Sequence, residues 1–267
     1  MTTSDGPRKR LPNNPSEENL RKQAKRLAAQ EDLQLAAAQR RLAIEYGYRN
    51  WAELMRAVAS RFVPLVPLRG LVAFPHEVYP IYIGRRRSLK AVEAAEDPKS
   101  QISLAANSPI LLVAQREASV ATPSPADMYQ VGTLGVIAER HRLPDGTVKI
   151  VVEGKNRARV RRFVFHQKFF KAEAEDIEEA SDRSVRVEQL VLAVLSAFHK
   201  YARRESLTIP ELATRMKQIE EDPSILSYLI AHHLKIEVAE QQALLECVNP
   251  VERLEKILGY LEAAKAN

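Results

Sequence analysis

Several features that would mark a secreted or membrane-spanning protein are scarce or absent in this sequence of 267 residues. It contains one cysteine, Cys247, so an internal disulfide is excluded. No run of about 18 apolar residues occurs, and such a run is what a membrane-spanning helix needs. The basic start, MTTSDGPRKRLPNNP, is not followed by an apolar stretch, which argues against a signal peptide. We therefore expect a cytoplasmic protein that does not enter a membrane.

Signatures of catalysis and of metal binding are also missing. None of the nine glycines precedes Lys-Ser or Lys-Thr, so the phosphate-holding pattern G-x-x-x-x-G-K-[ST] is absent, as is the nucleophile pattern G-x-S-x-G. Neighbouring His232 and His233 point in different directions on a helix and cannot together chelate one metal ion. We expect no metal and no other cofactor, and we interpret the chain as non-catalytic.

The net charge of +6 is distributed unevenly along the chain. Residues 1–62 carry +5, residues 63–176 carry +5 and residues 177–267 carry −4. A basic surface of this kind is either simply solvated or contacts an acidic partner, such as nucleic acid or an acidic protein. Charge alone does not choose between these interpretations.

The first 62 residues predict a short tail and a small helical module. Residues 1–14 are polar and proline-bearing, and we expect them to be a disordered tail. Residues 15–62 have apolar residues at helical spacing, which predicts three helices, near 16–29, 32–46 and from 51 onward. Gly47 occupies the left-handed stop position of the second helix, and Asn50 with Glu53 has the spacing of a capping box for the third.

The pattern changes to strands at about residue 63. The stretch 66–84, VPLRGLVAFPHEVYPIYIG, places Pro67, Pro75 and Pro80 beside strand-like residues. Because proline cannot donate to a sheet ladder, a central strand rejects it. We therefore predict an edge strand, a turn and a second edge strand.

Further along, turn and glycine signals shape the predicted sheet. Pro144-Asp145-Gly146 is a hairpin signal, and Gly132 with Gly135 inside a strand-like run indicates a bulge or a close backbone approach. About six or seven strands over residues 63–180, interrupted by a helix near 86–95, predict a curved sheet or partly open barrel.

Residues 181–267 return to helical spacing. A long amphipathic helix is predicted around residues 187–201. Three further helix starts carry a proline near their first helical position: Ile209-Pro210, Asp222-Pro223 and Asn249-Pro250. These signals predict a bundle of four or five helices, so the overall fold class is α+β.

The string PLRGLVAFPHEVYPIYIGRRRSLKAVEAA, followed by the order VGT, LPDGT, VEG and RAR, resembles the N-terminal substrate-binding (LON) domain of Lon proteases. The likeness continues through IEEDPSILSYLIAHHL and NPVERLEKILGYLE, and covers about residues 63–265. It implies a PUA-like, strand-rich subdomain over 63–180, followed by a helical bundle over 181–267. The Walker and peptidase motifs of that family are absent, so we expect a stand-alone bacterial module without either activity. Residues 15–58 are similar to a short helical leader found in front of various bacterial domains.

The resemblance implies a module that binds unfolded or damaged protein segments without ATP, alone or beside a separate protease or chaperone partner. Candidate contact residues are Phe74, Tyr79 and Tyr82 for apolar groups, and Arg86, Arg87 and Lys90 for acidic groups. The alternative is that the aromatic residues are core and that the basic residues form a solvated helix start. Cations at a helix N-terminus oppose the helix dipole, which favours a partner.

Nucleic-acid binding is the competing function. PUA-like folds occur in RNA-modifying proteins, and Arg157, Arg159, Arg161 and Arg162 form a basic stripe on one predicted strand. No aromatic residues are interleaved for base stacking, which weakens that interpretation. The oligomeric state is left open by the sequence.

Overall fold

The computed structural model describes residues 9, 17–59, 61–96, 109–166, 169–178, 185–207 and 222–266. The predicted disordered tail, apart from Lys9, lies outside these ranges, as does the predicted helix start at Ile209-Pro210.

Three helices form the N-terminal module: α1 (Glu17–Gln30), α2 (Leu35–Glu45) and α3 (Trp51–Ala59). Gly47 has φ of 84°, the left-handed conformation that ends α2. The Oδ1 of Asn50 accepts a 2.8 Å hydrogen bond from the N–H of Glu53, which caps α3 as its spacing predicts. The carboxylate of Glu53 accepts in turn from the N–H of Arg49, one residue before the cap. The small core of the module consists of Leu20, Ala24, Leu42, Ala43 and Leu54.

Six strands follow: β1 (Arg61–Leu68), β2 (Val78–Ile83), β3 (Pro109–Ala114), β4 (Val131–Arg142), β5 (Val148–His166) and β6 (Phe169–Asp176). Helix α4 (Arg86–Glu96) separates β2 from β3. The strand order is β2-β5-β4-β3-β1-β6, and β5 also pairs with β6. Because β5 is 19 residues long, its first part pairs with β2 and its last part with β6. Five strands thus form an irregular ring, with β2 outside it.

Each proline in the strands lies where only one neighbouring strand forms a ladder with it. The prediction that the first of these strands is an edge strand is wrong. β1 lies between β3 and β6, so it is not an edge strand as predicted. Its pairing is staggered, however: Pro64 pairs only with β6, and Pro67 pairs only with β3. Each proline therefore sits where one side of the strand has no ladder partner. Pro80 lies in β2, which pairs only with β5 among the described strands, so the edge prediction for β2 is confirmed.

The turn and glycine predictions in the sheet are also confirmed. Gly146 has φ of 85°, and the Oδ1 of Asp145 accepts a 2.9 Å hydrogen bond from the N–H of Thr147. A Cβ on Gly132 would lie 2.3 Å from the carbonyl oxygen of Leu112, so the backbones approach too closely for any side chain. The register of β4 and β5 shifts at Gly135.

The C-terminal helices are α5 (Val185–Arg204), α6 (Pro223–His233), α7 (Val238–Glu246) and α8 (Pro250–Ala266). Asp222 caps α6 by accepting a 2.8 Å bond from the N–H of Ser224, and Asn249 caps α8 by accepting a 2.9 Å bond from the N–H of Val251. Helix α8 packs against α5 and α6. Among the helices of the described ranges, none combines the length and the apolar character that a membrane crossing requires.

One core cluster contains side chains of both the bundle and the sheet, and two buried arginines also join these two parts. Arg157 of β5 donates 2.9 Å hydrogen bonds to the carbonyl oxygens of Leu245 and Cys247. Arg253 of α8 donates a 2.7 Å bond to the same Cys247 carbonyl. The two guanidinium carbons lie 5.9 and 4.1 Å from the ring centroid of Tyr228 in α6. These contacts fix the position of the helices on the strands.

Candidate protein-binding surface

Two of the six predicted contact residues are core residues. The side chains of Phe74 and Tyr79 are 0% and 2% exposed. The ring of Phe74 lies 6.2 Å from that of Tyr228, and the ring of Tyr79 lies 5.2 Å from that of His232. Helix α6 therefore covers both side chains, and neither offers contact area to a partner. We correct both residues to core.

The solvent-facing side of β2 carries an apolar strip. Its side chains alternate between exposed and buried along the strand. Val78 and Tyr82 are 55% and 63% exposed, and Pro80 between them is also exposed. We call these three residues the β2 face. They place exposed apolar side chains in a row on an edge strand, which is where a sheet can accept a further strand.

A groove of about 440 Å³ runs beside the β2 face. It is lined by residues 66–69, Leu71, residues 80–85 and Ser88. We call it the β2 groove. Its walls are the end of β1 with the segment after it and the end of β2, so an extended peptide could lie between them. Tyr82, one of the predicted contact residues, belongs to both the face and the groove.

A second groove of about 280 Å³ adjoins the first at the start of α4, and we call it the α4 pocket. It is lined by Leu65, Pro67, residues 85–88, residues 121–123 and Phe170. The predicted residues Arg86 and Arg87 are exposed and line it, and the guanidinium carbon of Arg87 lies 5.9 Å from the ring centroid of Phe170. Pro67, Arg85 and Ser88 line both grooves, so the two cavities are adjacent.

Lys90, the last predicted contact residue, stands apart from both grooves. Its ammonium lies 2.6 Å from the carboxylate of Glu93, one turn further along α4. This contact lowers the pKa of Glu93, mainly through the hydrogen bond that Lys90 donates. Lys90 lines neither groove. A role in partner binding stays a prediction for it, as it does for Tyr82, Arg86 and Arg87.

Several residues of the β2 face and the grooves were not predicted from the sequence. Val78 could have been found, because it has the same alternation phase as Tyr82 in VYPIYI. Arg69 and Ser88 carry no such signal, since only the approach of β1 and its following segment to α4 brings them together. Within the described residues, no group of three or more His, Cys, Asp or Glu side chains could hold a metal ion.

The predicted basic stripe does not form a continuous surface. Arg157 is 1% exposed, because its guanidinium donates to two carbonyl oxygens at the C-terminal end of α7. A register shift between Val160 and Arg162 changes the alternation, and Arg161 pairs with Glu175 while Arg162 lies 3.2 Å from Glu173. Arg159 is the member that remains exposed without an ion pair to a described residue. The prediction of a basic stripe is therefore wrong, and nothing in this face favours nucleic-acid binding.

Comparison with protein families decides where this fold belongs. A family model described as the ATP-dependent protease La (LON) substrate-binding domain matches residues 63–263. The chain belongs to this family. The match contains all of the residues that form the two grooves of this LON domain and begins after the N-terminal module.

Relatives and solved structures agree with this assignment. The chain is 40% identical over 199 residues to a Lon protease of Azospirillum brasilense, and 39% identical over 201 residues to Lon protease 3 of Sorangium cellulosum. These alignments cover 74% and 75% of this chain but 24% and 23% of the relatives, so it spans about a quarter of their length.

The solved structures show the same fold at lower identity. The N-terminal domain of a Mycobacterium avium complex Lon protease matches with a TM-score of 0.58 and 18% identity, over 76% of this chain and 98% of that one. A Lon N-terminal domain protein from Xanthomonas campestris matches with a TM-score of 0.50 and 19% identity, over 74% and 97%. The α+β architecture of the LON domain is thus confirmed.

Proposed function

We propose that this LON-domain chain binds exposed apolar segments of unfolded proteins at the β2 face and the β2 groove, without ATP and without catalysing a reaction on them. The observation that carries the proposal is the row Val78, Pro80 and Tyr82, exposed on an edge strand beside an open groove. The family description, a substrate-binding domain, supports protein segments as the ligand.

Burial of apolar surface supplies the affinity in this proposal. Each Å² of apolar surface removed from water contributes about 25 cal/mol, so a few side chains that cover Val78 and Tyr82 contribute several kcal/mol before ordering costs. A segment added beside β2 would gain backbone hydrogen bonds that do not depend on its sequence. Pro80 has no N–H, which limits that pairing and protects the edge from aggregation.

Binding of this kind is sequence-tolerant and weak for a single contact. A client would be held and then released or passed on, and a separate protease or chaperone is the partner that would act on it. We predict that this takes place in the cytoplasm of a bacterium, and the sources of the matched Lon proteases support a bacterial setting.

Fluorescence anisotropy with a labelled, permanently unfolded protein of the casein type tests the proposal. The double variant V78S/Y82S removes the apolar part of the β2 face, and we expect its affinity to fall at least about tenfold, or 1.4 kcal/mol. The matched control is Leu192→Ser, which changes a residue of α5 that is 67% exposed and lines neither groove. The control should bind like the parent chain, and addition of ATP should change neither affinity. Equal binding by the double variant and the parent would refute this surface as the client site.

A further inference from the structure

Helix α4 begins with a run of basic residues. The first backbone hydrogen bond of the helical i to i−4 pattern is donated by the N–H of Leu89 to the carbonyl oxygen of Arg85, at 3.0 Å. The N–H groups of Arg86, Arg87 and Ser88 therefore precede the helical ladder and point out of the helix start. The first turn has no acidic residue, and Arg85, Arg86 and Arg87 surround it. Backbone donors, the positive end of the helix dipole and three guanidinium groups thus converge at one place.

Ser88 gives an independent indication that a ligand binds there. The residue is 5% exposed and lines both the α4 pocket and the β2 groove. Its hydroxyl makes no hydrogen bond to any residue in the described part of the chain. The hydroxyl is therefore available to donate a hydrogen bond to an acceptor in either cavity.

A hydrogen bond holds one of the neighbouring arginines at the wall of the pocket. Arg85 donates a 2.6 Å hydrogen bond to the side-chain oxygen of Gln115, which is 1% exposed. Gln115 is itself held by the carbonyl oxygens of Glu117 and Val120, at 3.2 and 3.0 Å. No carboxylate of the described residues forms an ion pair with Arg85 or Arg86. The planar guanidinium group matches a carboxylate or a phosphate with two parallel hydrogen bonds.

We propose that the α4 pocket binds an oxoanion, a carboxylate or a phosphate group, carried by the protein segment that lies in the β2 groove. The choice of a protein segment as the ligand rests on the proposed function. The anion site itself is argued from the start of α4, Ser88 and the arginines. Because the two cavities share Pro67, Arg85 and Ser88, one extended segment can place apolar side chains in the groove and an acidic group in the pocket. The preferred client segment is therefore apolar with an acidic group at one side.

Three labelled peptides of one apolar sequence test this specificity. They differ at one flanking position, which carries Glu, Gln or phosphoserine, and their affinities are measured by fluorescence anisotropy at about 50 mM salt, where exposed charges are weakly screened. We expect the Glu and phosphoserine peptides to bind at least about fivefold tighter than the Gln peptide. Arg86→Gln and Ser88→Ala should reduce that preference to near unity and leave the affinity for the Gln peptide unchanged. Arg159→Gln is the matched control, since it removes an exposed arginine outside both grooves and should keep the full preference.

The outcomes separate this inference from the proposed function. If all three peptides bind equally well, the anion site is overturned and the apolar client site stands. If no peptide binds but inorganic phosphate binds and is lost in Arg86→Gln, the pocket is an anion site and the protein segment is overturned as its occupant. If Arg159→Gln loses the preference as fully as Arg86→Gln does, the effect is one of general charge and the pocket is overturned. Because Arg86 is exposed, its variant is expected to fold, and the Ser88 variant is checked by its melting temperature.

Discussion

The backbone N–H of Phe74 donates a 2.7 Å hydrogen bond to the hydroxyl oxygen of Tyr79, in the core between β2 and α6. Both residues look like surface candidates in the sequence, because they flank a Pro-His turn beside an edge strand. The hydrogen bond instead ties the loop before β2 to the strand itself. It gives Tyr79 a structural function, and leaves the exposed side of β2 to Val78, Pro80 and Tyr82.

Tyr79→Phe should lower the stability of the domain without affecting client binding. The change leaves the buried N–H of Phe74 without its acceptor, which costs about 1–3 kcal/mol. Urea unfolding measures the loss, and the unfolded-protein anisotropy assay should give an unchanged affinity. Tyr82→Phe is the matched control, because the same hydroxyl is removed from an exposed ring and stability should change by less than about 0.5 kcal/mol. A large loss of client affinity in Tyr79→Phe with an intact fold would contradict the assignment of Tyr79 to the core.

Tyr79 should also make stability depend on pH in the alkaline range. Burial raises the pKa of its hydroxyl, and the nearby carboxylate of Glu77 raises it further, although the bond from Phe74 opposes the shift. Below about pH 10 the group is neutral in both states and has no effect. As the pH rises above about 10, the unfolded chain loses this proton first, so the free energy of unfolding falls by up to about 1.4 kcal/mol per pH unit.

Comparison of the parent chain with Tyr79→Phe isolates this effect. Tyr48 and Tyr260 also have a raised pKa through burial, but they contribute equally to both proteins. The variant should show a flatter decline of unfolding free energy between about pH 10 and 11. Parallel curves for the two proteins would mean that Tyr79 ionises as freely in the folded state as in the unfolded chain.

Arg157→Met should destabilise the junction between the sheet and the bundle. The substitution keeps an unbranched, flexible side chain but removes the hydrogen bonds to the carbonyl oxygens of Leu245 and Cys247 and the contact with Tyr228. Loss of a buried charged donor of this kind costs about 2–5 kcal/mol. Arg159→Met, two residues along the same strand but exposed, should change the stability by less than about 0.5 kcal/mol. Similar stabilities for the two variants in urea unfolding would show that Arg157 does not hold the junction.

The local features of this fold can be predicted from the sequence, because each depends on a few neighbouring residues. Gly47, Asn50, Asp145 and Gly146 take the backbone conformations and hydrogen bonds that their turn and cap chemistry predicts. Pro80 marks the outer strand for the same reason, since it has no N–H for a second ladder.

Features that depend on contacts between residues far apart in the sequence could not be predicted. Pro67 predicts an edge strand, yet β1 lies inside the sheet, because the stagger of β3 and β6 leaves each proline of β1 with one unpaired side. The burial of Phe74 and of Arg157 depends on α6 and α7, which are more than 60 residues away in the sequence. Ser88 could not be recognised for the same reason, since its pocket combines α4 with β1 and with residues 121–123.

Two glycine substitutions should have opposite effects on stability. In Gly132→Ala the new Cβ would lie 2.3 Å from the carbonyl oxygen of Leu112 and 2.9 Å from a methyl group of Val113, so the strands must separate. We expect a loss of about 1–3 kcal/mol. Gly259 lies in α8, and a Cβ added there would meet no atom of a neighbouring element within 4 Å, so Gly259→Ala should stabilise the helix by about 1 kcal/mol. A melting temperature of Gly132→Ala that does not fall would contradict the close packing of β4 against β3.

Salt dependence should distinguish protein binding from nucleic-acid binding. A neutral apolar peptide that binds by burial should change its affinity little between about 50 and 200 mM salt, whereas binding that neutralises several phosphates falls steeply over that range. Because Arg157 is buried and Arg161 and Arg162 pair with Glu175 and Glu173, we expect only weak binding of an RNA oligonucleotide at about 200 mM salt.

The matched variants then locate whatever binding is observed. V78S/Y82S should weaken the peptide and leave any RNA binding unchanged, and Arg159→Gln should do the reverse. If RNA binds with sub-micromolar affinity at about 200 mM salt and loses that affinity in Arg159→Gln, the basic face is functional after all. In that case the broken stripe still works through the charges that remain exposed, and the β2 face would have to be tested as a second, independent site.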